Sequence, residues 1–422
     1  MKLYVILFTL ILLISFCTST DQLFARRSLQ DYVDHFVDTG KIQLRGGTLK
    51  LNDTVIRQIW SFFKAKYHRL YSSNGEEGER LRIFVKHLKY VLKSNFEKSH
   101  TYQLGLNQFS DWTLAEFDAL KKGLKVPLRL RRNIMDDESD EGALQRSLTR
   151  LYQRHDDSRR LKQNLQKRRY KDRQFSDDWF DKLLNQERDN NDTNPLPNVF
   201  DWRTKNVVSP IKNQGRCGSC YAFASVAVLE TVYAIKINAE NVTEFSPQQI
   251  VDCSSEEYDN SGCFGGLFQP TMNYLIGKGG KIATDTSYPY IGKQDSCRTD
   301  GINEIDLGQV EYVDIPVGDE KQMAEALIKN GPIFIGLDAD SELFMFYQSG
   351  ILKIDSCPNG RYDMDHAMVV VGYAYDEELK LPYWIIKNSW GTGWGESGYL
   401  RLVKDADNMC GIATMASYAK LT

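Results

Sequence analysis

The chain has 422 residues, long enough for two or three domains with full cores. Its formal net charge of -3 offers no basic face, which argues against a nucleic-acid partner. Residues 1–20 combine Lys2, an apolar run over 3–16 and the small-residue end Cys17-Thr18-Ser19-Thr20, the pattern of a signal peptide, and no later stretch is long and apolar enough for membrane insertion.

The predicted secretory route places the protein in an oxidising compartment, where cysteines pair. Eight cysteines less Cys17 leave an odd number, all in the C-terminal half: Cys217, Cys220, Cys253, Cys263, Cys297, Cys357 and Cys410. The simplest account is three disulfides and one thiol kept free. Sequons at Asn52, Asn191 and Asn241 fit luminal glycosylation.

Residues 21–53 carry no readable pattern and stand as an N-terminal extension of unknown role. Over 54–100, Val55, Ile56, Ile59, Trp60, Phe62, Phe63 and Tyr67, then Leu81, Phe84, Leu88, Val91 and Leu92, recur at helical spacing around the breaker Ser72-Ser73-Asn74-Gly75. An extended piece is expected over 102–109. Thr113-Leu114-Ala115-Glu116 then offers a capping box for one more helix, completing a small helical module over 54–120. Residues 121–195 interleave Arg, Lys, Asp and Gln with few aliphatics, which reads as a solvated charged linker. Its clusters Arg129-Leu130-Arg131-Arg132, Arg159-Arg160 and Lys167-Arg168-Arg169 are candidate processing sites.

From Leu196 the composition turns apolar and aromatic. A helix is expected at Cys220, a second after Ser246-Pro247-Gln248-Gln249, and a third over 267–278 ending at Gly279-Gly280. Strands are expected over 332–339, 367–375, 383–387, 398–403 and 412–418. Helices first and strands later imply an α+β body of two lobes, with a site in the cleft between them.

Gln214-Gly215-Arg216-Cys217-Gly218-Ser219-Cys220-Tyr221 carries the chemistry, because it puts a thiol where a Gly-rich loop becomes a helix. Unpaired N–H groups and the helix dipole favour thiolate there. The Cys217/Cys220 pair reads equally as a redox dithiol or half of a zinc site. A cysteine nucleophile needs a base, and His366 is the one histidine from Leu196 onward. Moving a thiol from about 8.5 to about 4 takes roughly 6 kcal/mol, of which a helix terminus supplies about 2, so the His366 imidazolium must supply the rest. The expected resting state is a Cys220 thiolate facing a His366 imidazolium. Asn388 is suited to orient the ring, Trp390 to shield that bond from water, and Gln214 with the Cys220 N–H to stabilise an oxyanion.

These residues resemble the papain-like cysteine peptidases, as do Asp201-Trp202-Arg203 and Gly262-Cys263-Phe264-Gly265-Gly266. Upstream, Glu76, Arg80, Phe84, Val91 and Asn95 resemble the interspersed pro-helix motif of cathepsin L-like zymogens, with His87 standing where Asn is usual. Gly105, Asn107, Phe109 and Asp111 match the motif that follows it. The resemblance implies a papain-like two-lobed fold, helical left lobe and β-barrel-like right lobe, over 196–422. It also implies that 54–120 is an inhibitory propeptide domain, filling the cleft in reverse and released in acid. Implied disulfides are Cys217 with Cys263, Cys253 with Cys297, and Cys357 with Cys410.

The positions that resemble the substrate cleft are Gly265, Gly266 and Trp390, with an S2 pocket of Leu267, Phe268, Gly336, Met364 and Met415. No acid lies at that pocket's base, which implies bulky apolar P2 residues. The lone histidine implies no His-bearing occluding loop and hence endopeptidase action. Expected partners are protein or peptide substrates, the chain's own propeptide and cystatin-like inhibitors. A monomer without cofactor or metal is expected, in the lysosome, an endolysosomal compartment or outside the cell. The linker is longer than the family pattern, and Arg129-Leu130-Arg131-Arg132 within it resembles a convertase site, which implies stepwise activation with a first cut after Arg132 and a mature start near Leu196. Two other classes compete: a non-catalytic papain-like binding protein, and a thiol oxidoreductase using Cys217 and Cys220.

Overall fold

The computed structural model describes residues 28–45, 47–97, 100–124, 196–255 and 257–422. Apart from Leu196 and Pro197 these belong to one compact unit. The signal-peptide segment, the basic clusters of the linker and Asn191 lie outside the described residues. Asn52 and Asn241 are exposed.

The uninterpreted 21–53 segment contains a helix and a hairpin. Ser28 caps α1 (Leu29–Asp38) in a reciprocal box with Asp31, and Leu29, Val33 and Phe36 form its buried stripe. A two-stranded hairpin follows, β1 (Gln43–Arg45) and β2 (Thr48–Lys50). Tyr32 stacks on Phe62 of α2 (Asp53–Lys66) with ring centroids 4.4 Å apart, so the extension packs onto the helical module. The Ser28/Asp31 box and the Leu29, Val33, Phe36 spacing are both local helix signals that the sequence reading passed over.

Trp60 and Phe63 of α2 meet Phe84 of α3 (Asn74–Phe96) at 5.1 and 4.9 Å, which locks the predicted helix pair. The extended piece expected over 102–109 is shorter: β3 covers Tyr102–Leu104 only. Beyond it, Asn107 Oδ1 accepts the Phe109 N–H at 2.9 Å and Ser110 Oγ accepts the Asn107 N–H at 3.0 Å. These local bonds replace strand pairing. The Thr113/Glu116 capping box starts α4 (Leu114–Lys121), and Arg80 grips Glu116 with two bonds of 2.7 Å.

In the remainder, β4 (Phe200–Asp201) precedes three helices, α5 (Cys220–Lys236), α6 (Pro247–Cys253) and α7 (Phe268–Gly277). Strands β5 (Lys281–Ala283) and β6 (Glu304–Asp306) pair with each other, and β7 (Val310–Asp314) begins the strand-rich lobe. Two helices interrupt the expected run of strands: α8 (Glu320–Asn330), capped by Asp319, and α9 (Glu342–Phe346), capped by Ser341. Strand β8 (Ile333–Leu337) lies between them, with β9 (Tyr347–Leu352), β10 (His366–Asp376), β11 (Leu381–Lys387), β12 (Tyr399–Val403) and β13 (Met415–Leu421) following.

One sheet runs in the order β3-β9-β12-β11-β10-β8-β13-β7, with β4 also on β10. Its edge strand β3 belongs to the helical module, paired antiparallel with β9 from Tyr102↔Gly350. Helix α5 is apolar on all sides and buried through 220–232, as a helix between two layers must be; it packs against β10 and β13. That contact brings the start of α5 to the start of β10.

Candidate active site

Cys220 is the first residue of α5 and His366 the first of β10. The antiparallel register Val369↔Lys387 sets the head of β10 beside the end of β11, where Asn388 follows. Local sequence places each residue at an element's end, and pairing brings the ends together. The Ala367 N–H donates to Cys220 Sγ at 3.4 Å, so thiol and imidazole share one backbone neighbour.

His366 is fully buried, with Nε2 2.9 Å from Asn388 Oδ1. That oxygen also accepts the Ser389 N–H at 2.7 Å, so Nε2 carries the proton and Nδ1 the lone pair. Nδ1 is buried without a hydrogen-bond partner. Trp390 stacks on the imidazole at 4.5 Å and caps the pair. The sequence did not single out Ser389, whose Oγ donates to Gln214 Oε1 at 2.8 Å.

Gln214 is buried and held at both ends of its amide. Nε2 donates to the Cys217 carbonyl at 2.9 Å, and its other hydrogen reaches the Lys121 carbonyl at 3.1 Å. One N–H is therefore fixed in the loop and one faces the cleft, the geometry an oxyanion donor needs.

Disulfides join Cys217 to Cys263, Cys253 to Cys297 and Cys357 to Cys410. Cys220 is the free cysteine among the described residues. With Cys217 bonded, the Cys217/Cys220 dithiol is not available, and the oxidoreductase reading is withdrawn. No group of three His, Cys, Asp or Glu residues able to hold a metal occurs among the described residues.

A segment drawn as the start of the linker, 121–124, runs through the cleft. Gly123 O accepts the Gly266 N–H at 2.9 Å, and Leu124 forms a parallel bridge with Gly266. The Leu124 N–H donates to Asp365 O at 3.0 Å. Leu124 belongs to the buried apolar cluster with Leu267, Phe268, Met364 and Met415, and a Cβ on Gly336 would strike its Cδ2. A side chain at Gly123 would collide with the Gly218 carbonyl, so only glycine passes over the thiol there. Phe109 and Phe117 meet Trp390 edge-on at 5.9 and 5.0 Å, and Gln108 Nε2 donates to Trp390 O at 2.9 Å. His87 donates from Nδ1 to Ser110 O at 2.9 Å and packs on Phe346 at 4.8 Å.

Covering the site changes its protonation. Burial pushes the Cys220 thiol up to about 12, against the pull of the Ala367, Gly123 and Tyr221 N–H groups. Burial drives the His366 imidazole down to about 3, against its bond to Asn388. Burial thus works against the thiolate–imidazolium pair expected from the sequence for as long as 121–124 excludes the water that would solvate two charges.

Residues 196–420 match the family described as papain family cysteine protease, and residues 60–117 match the cathepsin propeptide inhibitor domain. The chain is 33% identical over 369 residues to cathepsin L1 of Drosophila melanogaster, covering 86% of this chain and 85% of that protein. It is 31% identical over 372 residues to cathepsin S of Bos taurus, covering 87% and 94%. Among solved structures it is similar to digestive procathepsin L 3 from the larval midgut of Tenebrio molitor, with 31% identity, a TM-score of 0.64, and coverage of 87% of this chain and 99% of that one. The chain thus belongs to the papain family of cysteine peptidases, as a cathepsin L-like endopeptidase synthesised as a zymogen with its inhibitory propeptide.

Proposed function

We propose that Cys220 is the nucleophile, that His366 is the base and later the acid that protonates the leaving amine, and that Asn388 orients the imidazole. Gln214 and the Cys220 N–H hold the oxyanion of the tetrahedral intermediate. The attack forms an acyl-enzyme on Sγ and releases the amine-side product, after which water returns the thiol and frees the acid-side product. The observation that carries this reading is the Lys121 carbonyl on Gln214 Nε2: a peptide carbonyl already sits where a donor is fixed. The segment runs parallel to Gly266 instead of antiparallel, so it occupies the cleft without offering its bonds for attack.

The pocket that holds Leu124 supports a preference for bulky apolar P2 residues, with Leu267, Phe268, Gly336, Met364 and Met415 as its walls. Arg at P2 is disfavoured because these residues offer no carboxylate. Activation proceeds by a first cut after Arg132 and trimming to about Leu196 in acid. The enzyme works as a monomer in the endolysosomal route or outside the cell, open to cystatin-like inhibitors. That location rests on the signal-peptide pattern over 1–20 and the paired cysteines.

The test acidifies the purified zymogen and follows its mass together with cleavage of Leu-Arg and Arg-Arg reporter peptides. Shortening with selective Leu-Arg cleavage is expected for the wild type, and neither for Cys220→Ser. Equal cleavage by Cys220→Ser refutes the assignment, and a wild type that neither shortens nor cleaves is a non-catalytic binding protein instead of an enzyme. An Arg132→Ala zymogen with unchanged intermediates refutes the stepwise route.

A further inference from the structure

Lys122 is the second residue of the segment that crosses the cleft, and its side chain is 6% exposed. Its ammonium meets Asp118 at 2.7 Å, Asp340 at 3.0 Å and Asp365 at 3.0 Å. Asp118 lies on α4 and departs with the propeptide. The other two belong to the peptidase, one in the turn after β8 and one directly before His366. Asp365 Oδ1 is tied to the Ala339 N–H at 2.9 Å, which leaves Oδ2 for the ammonium. Asp338 stands behind them, its Oδ1 accepting the Asp340 N–H at 2.9 Å. Once the propeptide leaves, this corner of the cleft keeps three carboxylates and loses the cation that balances them.

The position of Lys122 along the cleft identifies the subsite. Leu124 fills the apolar pocket and Gly123 crosses the thiol, so Lys122 lies one residue past the thiol on the side away from that pocket. A substrate runs the other way, and its residue there is the first one after the bond that breaks. We propose that Asp340 and Asp365 form an acidic S1′ subsite that selects peptides with Lys or Arg immediately after the scissile bond. Lys122 occupies it in the zymogen as the substrate side chain does in the enzyme. The carboxylates lie about one lysine side chain from the cleft backbone, so long basic residues reach them. An acidic residue there faces like charge. This rests on Cys220 as the attacking nucleophile, since that fixes which residue follows the bond.

The test uses acid-matured enzyme and quenched fluorescent peptides that share Leu-Arg at P2 and P1 and differ only in P1′, as Lys, Ala or Glu. Cleavage of the Ala peptide reports the nucleophile by itself. Wild type is expected to show kcat/KM about tenfold higher for Lys than for Ala, and lower still for Glu. Asp340 is 57% exposed at its side chain even beneath the propeptide, so substitution there spares the fold. Asp340→Asn is expected to cut the Lys-to-Ala ratio severalfold, and Asp340→Lys to invert the Lys-to-Glu preference. Cleavage of the Ala peptide with a wild-type Lys-to-Glu ratio near one overturns the subsite while the nucleophile stands. An Asp340→Lys enzyme with the wild-type ratio overturns it as well.

Discussion

Leu124→Ala in the zymogen tests whether the apolar pocket holds the propeptide down. Leu124 is 3% exposed, and its side chain fills the space beside Gly336 and Met415. Burying a leucine side chain is worth about 2 kcal/mol. A cavity term adds to that in a sealed core. Here the pocket opens to the cleft when the segment lifts, so water refills it and the lower figure applies. Since about 1.4 kcal/mol is tenfold, loss of about 2 kcal/mol raises the uncovered population about 30-fold. The assay is alkylation of Cys220 by iodoacetamide at neutral pH with disulfides intact, because the covered thiol reacts only when 121–124 lifts. Alkylation about 30-fold faster than wild type is expected. A rate within twofold refutes the reasoning, since it means that the module's other contacts carry the covering alone.

Removing the fixed donor by Gln214→Ala is expected to lower kcat of the matured enzyme by about 100-fold with little change in KM, measured on a Leu-Arg substrate; a KM effect alone refutes the oxyanion role. The thiol's rate, and not its pH profile, should differ between forms. In both forms the reacting species is the uncovered pair, so alkylation of Cys220 is expected to be flat between pH 5 and 8 and slower in the zymogen by the fraction of time that 121–124 is lifted; a matured enzyme whose rate climbs through the ordinary cysteine range refutes the thiolate–imidazolium pair. His87 supplies a pH effect of defined sign. Burial lowers its pKa in the docked state, with Glu342 and Asp111 opposing and Lys86 reinforcing. The released propeptide therefore binds the proton more readily, and docking weakens as pH falls below the ordinary histidine value. His87→Asn keeps a donor for Ser110 O and is expected to move the midpoint of acid processing to lower pH; an unchanged midpoint refutes the contribution. Glu116 acts in the same direction at lower pH. Arg80 holds its carboxyl down at about 2, so that the grip on α4 weakens as pH drops below the usual glutamate range. Glu116→Gln should raise the midpoint, read from the same processing curve.

Much of the site was legible before any fold was known. Cys220 at a loop-to-helix junction, the lone His366 and the neighbouring Asn388 and Gln214 are local chemical statements, and so are the caps at Thr113 and Ser246. Helices α2, α3 and α4 announce themselves through caps and a 3.6-residue period, because those signals lie within one element. The helix over Leu29–Asp38 carries the same kind of signal, a Ser28/Asp31 box and the spacing of Leu29, Val33 and Phe36, and was overlooked; only its packing against Phe62 needed the tertiary structure. Likewise β3 is three residues long and exists because β9 pairs with it.

What the sequence alone determined is therefore the reagents: one thiol left over by an odd cysteine count, one imidazole, one amide to orient it, and helices marked by their own caps. Tertiary structure decided the state in which those reagents are held. Charge at Cys220 and His366 depends on whether water reaches them, and that depends on four residues folded back over the cleft. It also decided that Lys122, one lysine among many in a charged stretch, meets three carboxylates at once. Desolvation and charge pairing act through space between distant parts of the chain, so no local pattern could carry them.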